Sequence, residues 1–188
     1  MQYRNLSSSA EDYGNRFATE EDFCFIFRGE MKALYLLAWL ITADPANAEK
    51  CLVSGLDDCL QAANVLTGHA HSWARRMIAK NAIRILRQRP EMPQAPLQHA
   101  VCPRTSRTPP HCDPYLERVM ALGEFERLVF VLCVLEGYSE ADCALLIRCS
   151  PQQIGSVRGK ALTQIAESSP DGGVNLAEAE PVSTSFHS

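Results

Sequence analysis

The chain has 188 residues and a formal charge of −4, with 46% hydrophobic and 21% charged side chains. That is room for one ordinary domain or two small ones, and the acidic balance excludes a uniformly basic coat for nucleic acid, though not a local basic face. Aromatic residues (7%) and glycines (10) are sparse and long alternating β-branched runs are absent, so the expected fold class is all-α.

Residues 1–20 are polar and read as a flexible N-terminus. Residues 1–30 lack a basic start followed by an apolar core and a small-residue cleavage site, which is the pattern of a secretory leader. The eight cysteines therefore read as reduced thiols of a cytoplasmic protein. Cys51, Cys59, Cys133 and Cys143 fall inside helical patterns, where a thiol behaves as a small hydrophobe.

A short helix is expected over 21–27 and a strongly apolar one over 31–41. The apolar run 33–43 is shorter than the roughly 20 residues that cross a bilayer, so it reads as a core helix. Asp44 and Pro45 form an N-cap with proline at the first helical position, opening a helix from Ala46 to about Val65. Thr67 and Gly68 break it. A further helix starts near Ser72, with an apolar stripe of Trp73, Met77, Ile78 and Ile85. Its other face is basic: residues 69–89 carry six cations and no acid.

Residues 90–114 hold seven of the eleven prolines and read as a linker. A second helical block covers 115–167. Helices are expected over 115–122, closed by Gly123, and over 124–135, closed by Gly137. Ser139 to Asp142 is one capping box, and Ser150 to Gln153 is another with Pro151 at the first helical position. Two capped helices so close together make a helix-turn-helix pattern. Residues 168–188 are too polar to fold and read as a disordered tail.

Residues 124–162 resemble region four of the extracytoplasmic-function RNA polymerase sigma factors, a branch of the sigma-70 family. The resemblance runs through Glu126, Arg127, Phe130, Leu132, the stretch Glu136, Gly137, Tyr138 and Ser139, then Ala144, Ser150, Ile154, Ser156 and the run Lys160, Ala161 and Leu162. Residues 34–89 are similar to region two of the same family, with Trp73 and Asn81 at expected places on the promoter-melting helix. The resemblance implies two small helical domains, a region-two bundle over 21–89 and a region-four helix-turn-helix over 115–167, joined by the proline-rich linker. It implies a transcription initiation factor that binds core RNA polymerase and promoter DNA and is open to control by an anti-sigma protein. Where the family carries an acid and then a Gln-Glu pair for docking on polymerase, this chain has Lys50, Val53 and Ser54. The polymerase-facing acids expected here are Glu49, Asp57 and Asp58.

Gln152 and Gln153 occupy the first turn of the final helix, where glutamine can pair bidentately with adenine, or else simply complete the capping box. Gly155 and Ser156 permit close approach, and Arg158 and Lys160 offer charge to phosphates. On the basic helix the expected DNA contacts are Arg75, Arg76, Lys80, Asn81, Arg84 and Arg87. Trp73 is able to stack on a base, but its place at the start of the apolar stripe favours core packing. His99, Cys102, His111 and Cys112 have zinc-ligand chemistry without the spacing of a standard finger, so no metal or cofactor is expected. Cys143 and Cys149 read as packing residues. No nucleophile elbow, phosphate loop or HExxH pattern is present, which argues against an enzyme. The competing reading is a degenerate sigma-fold regulator acting by protein–protein contact with a sigma or anti-sigma factor.

Overall fold

A computed structural model describes residues 16–88 and 113–167. Within them the chain is all-helical, with seven helices and a single bridge between Phe17 and Leu66 as the only β-type pairing. The segment 89–112, which contains His99, Cys102, His111, Cys112 and most of the expected linker, lies outside the described residues, as do 1–15 and 168–188.

Helix α1 spans Glu20–Thr42 without interruption. The sequence suggested two pieces, 21–27 and 31–41, and Gly29 lies between them. One exposed glycine costs a helix only about 1 kcal/mol relative to alanine. A single buried stripe from Phe23, Ile26 and Phe27 to Leu34, Leu37, Ala38 and Ile41 outweighs that cost. Thr19 and Asp22 form a reciprocal capping box at its start. Helix α2 spans Pro45–Leu60, and the Asp44 carboxylate accepts from the Asn47 amide at 2.7 Å, as an N-cap should. It stops five residues short of Val65 because Ala18 N–H donates to the Val65 carbonyl at 2.7 Å, drawing that segment out to pair with the N-terminal strand-like stretch.

Helix α3 spans Ala70–Arg87 and packs against both α1 and α2. At the α2–α3 crossing Gly55 is fully covered: a Cβ there would lie 2.6 Å from Ile78 Cδ1. The absent side chain is what lets the two helices approach.

Helix α4 spans Pro114–Ala121 and α5 spans Glu124–Phe130. Gly123 does not close α4. It adopts φ −56° and ψ 156° and leads into α5. Past Phe130 the helix widens by one residue per turn over Val131–Leu135, with Glu136 N–H donating to the Val131 carbonyl at 3.0 Å. Gly137, at φ 71°, then reverses the chain. Helix α6 spans Glu140–Ile147 and α7 spans Pro151–Glu167. α7 packs on α5 and α6 through Ile154, Ala161 and Ile165.

The two groups of helices touch, and one continuous apolar core runs through both. Three arginines also cross the contact. Buried Arg127 of α5 donates through Nε to the Leu40 carbonyl at 2.9 Å, in the last turn of α1, which has no basic residue of its own. Arg87, ending α3, donates to the Leu146 carbonyl of α6 at 2.7 Å. Each satisfies a carbonyl that a helix C-terminus leaves without an internal partner. Arg75 grips Glu136 with two bonds, Nε to Oε2 at 2.8 Å and Nη2 to Oε1 at 2.5 Å.

Candidate nucleic-acid interface

The helix-turn-helix geometry is built by α6 and α7 and the three residues between them. Ser139 caps α6 by accepting from the Asp142 amide at 3.0 Å. Arg148 ends α6 in the left-handed region, φ 61°, a conformation that costs a non-glycine residue about 1 kcal/mol or more. Ser150 and Gln153 cap α7 reciprocally: Gln153 N–H donates to Ser150 Oγ at 3.2 Å, and Ser150 N–H donates to Gln153 Oε1 at 3.0 Å.

With Ile154, Ala161 and Ile165 turned inward, the opposite stripe of α7 is Gln152, Ser156 and Lys160, each four residues from the last and all exposed. Three residues expected on this face are differently placed. Gln153 is exposed, but its amide oxygen is engaged in the cap, where the Ser150 hydroxyl also lies 3.2 Å away. Gly155 is half-buried beneath the carboxylate of Glu140, 3.1 Å from where a Cβ would sit, so its smallness accommodates Glu140. Arg158 is paired with the same carboxylate at 2.9 Å. Both partners of that pair are more than a third exposed, so it is worth little and yields readily to a phosphate. Arg148 is exposed beside Pro151 at the start of α7 and was not singled out from sequence. The signal was its place in a turn where glycine is the unstrained choice.

On α3 the exposed cations Arg76, Lys80, Arg84 and Arg87 form one stripe at helical spacing. Arg75 lies off that stripe. Its charge is held by the hydrogen-bonded carboxylate of Glu136, whose side chain is 7% exposed, with Glu30 at 3.9 Å. That grip pushes the Arg75 pKa above its ordinary value. Burial lowers that of Arg87, with Arg148 nearby adding like-charge repulsion. Asn81 is 1% exposed and donates to Asp58 and to the Met77 carbonyl, both at 2.9 Å, while accepting from Arg84. It ties α3 to α2 rather than facing outward. Trp73 is half-buried against the core, and its ring nitrogen is sealed without a partner among the described residues, in line with packing.

On α2, Glu49 and Asp57 are exposed while Asp58 is partly covered and occupied by Asn81. Lys50 and Val53 lie exposed on the same helix, Val53 at 65%. Among the described residues there is no group of three or more histidine, cysteine or acidic side chains arranged to hold a metal ion, and no helix is long and apolar enough to cross a membrane.

No protein-family model matches the chain, and comparison with curated proteins returns no match.

Proposed function

We propose that the chain is a sigma-type transcription initiation factor that binds core RNA polymerase and reads promoter DNA with α7. The observation that carries this reading is the α6–α7 pair. Two capped helices meet across a three-residue turn, and the second keeps a polar stripe of Gln152, Ser156 and Lys160 in solvent, flanked by Arg148 and Arg158. Gln152 supplies base-edge recognition and the cations supply phosphate contacts. The α3 stripe of Arg76, Lys80, Arg84 and Arg87 is a second backbone-binding surface. A cytoplasmic setting and a division into units at 21–89 and 115–167 belong to the same proposal. It requires no catalytic group and no cofactor.

The test is selection of duplexes from a random library by the full chain, followed by core polymerase binding and transcription from the selected sequence. A recurrent enriched sequence that supports transcription is expected. Absence of enrichment together with absence of polymerase binding defeats the proposal.

A second reading, a regulator that binds a sigma or anti-sigma protein, draws on a specific observation. Arg75 and Asn81 of α3 are engaged inside the molecule, Arg87 spends one bond on the Leu146 carbonyl, and α2 presents Lys50, Val53 and Ser54 where a polymerase-docking helix of this type would carry an acid and then a Gln-Glu pair. Affinity capture from cell extract separates the two, since polymerase subunits favour the first reading and a sigma or anti-sigma protein alone favours the second.

A further inference from the structure

Three cysteines converge where the widened turn after α5 meets α6. Cys133 lies in that turn, half-buried; Cys143 lies in α6, fully buried; Cys149 lies just beyond α6. Cys133 Sγ and Cys143 Sγ are 3.2 Å apart. A disulfide needs sulfurs at about 2.05 Å, so closing the bond asks for a shift of little more than 1 Å, within reach of small side-chain rotations. Cys133 keeps part of its surface in solvent, and Cys149 borders an open apolar hollow with Ala141, Ala144, Leu145, Arg148 and Pro151. The other three described thiols are arranged differently: Cys51 and Cys59 are fully buried in α2 and Cys24 is half-buried in α1.

We propose that Cys133 and Cys143 are a reversible redox pair that closes to a disulfide under a two-electron oxidant such as hydrogen peroxide, bracing the turn that leads into the helix-turn-helix. The half-buried Cys133 sulfur attacks a peroxide oxygen; the O–O bond breaks, water leaves, and Cys133 becomes a sulfenic acid. The Cys143 sulfur then attacks the Cys133 sulfur, the S–O bond breaks, and the hydroxyl departs as a second water with the Cys143 proton. Two thiols lose two electrons and two protons, and one peroxide becomes two waters. A dithiol reductant reverses the step by exchange. Burial holds the Cys143 thiol protonated, with Cys133, Cys149 and Asp142 reinforcing it, and burial also raises Cys149. Closure by the Cys143 sulfur is therefore the slow step of the pair. The cross-link closes the short loop through Glu136, Gly137 and Ser139, and Glu136 is the residue that holds Arg75 of α3. The pair rests on sulfur geometry alone and does not depend on DNA or polymerase binding.

The experiment treats the full chain with hydrogen peroxide in thiol-free buffer, blocks free thiols by alkylation, and digests without reduction after glutamate and after arginine. Cleavage after Glu136, Glu140 and Arg148 puts Cys133, Cys143 and Cys149 on three different fragments. The expected product joins the Cys133 fragment to the Cys143 fragment, with alkylation of the two thiols falling together and returning after reduction. Cys149→Ser keeps the cross-link, and Cys133→Ala, at a half-buried site, abolishes it. The proposal is overturned if both thiols stay fully alkylated, or if either is found joined instead to Cys149 or to a cysteine of 89–112.

Discussion

The two glutamines at the start of α7 are adjacent in sequence and unequal in chemistry. Reading adenine bidentately requires an amide that accepts with its oxygen while donating with its nitrogen. The Gln153 oxygen already takes the Ser150 backbone amide, with the serine hydroxyl beside it. Gln152 makes no such bond and stands in solvent. Gln152→Ala should therefore weaken binding to a selected duplex by about tenfold and erase one adenine preference, since a bidentate pair is worth about 1–3 kcal/mol. Gln153→Ala should instead lower folding stability by about 1 kcal/mol and leave base preference intact. Duplex titration beside urea unfolding of both variants reads the difference, and the reverse pattern would remove the assignment. Sequence showed that a cap and a base contact competed for these positions. Which residue served which end depended on side-chain direction, which residue spacing does not carry. Asn81 illustrates the same gap: an amide on a basic helix reads as a surface group until Asp58 is found opposite it across the α2–α3 contact.

At the scale of elements, most starts were legible and several ends were not. Asp44, Ser139 and Ser150 announced α2, α6 and α7 because N-caps are local chemistry: a side-chain oxygen three residues from an amide in need of a partner. Ends and continuations were set by packing. α1 runs through Gly29 because its buried stripe is continuous, and α2 yields Val65 to a backbone pairing with Ala18, 47 residues upstream in the chain. Gly55, in the middle of α2, had no local explanation; its role is steric, at the crossing with Ile78. Gly55→Ala should cost about 1–3 kcal/mol, by forcing the isoleucine out of its rotamer or the helices apart. Ile78→Val removes the atom that a new methyl would strike. The double variant should thus be more stable than the sum of the two single losses implies, and additive losses in a double-mutant cycle would refute the crossing as the cause.

Across the whole molecule, the class of fold followed from composition and period, while the joining of the two helical groups did not. Arg87 and Arg75 read from sequence as promoter-facing charges, and Arg127 only as a position of the region-four resemblance; the long-range partners Leu146, Glu136 and Leu40 give them a structural task. Arg127→Ala should destabilise the chain by about 2–4 kcal/mol, because it removes a buried hydrogen-bonded cation and strands the Leu40 carbonyl, and thermal or urea unfolding measures it. Arg75→Ala should leave the salt dependence of DNA binding unchanged, whereas removing Arg76 and Lys80 together should flatten it. Arg127 places the stopper for the C-terminal end of α1 on the far side of residues 89–112. Each half of the chain thus carries a polar group whose counterpart belongs to the other half. Two separately expressed pieces, divided within 89–112, should find each other in solution and restore the cooperative unfolding that neither has alone.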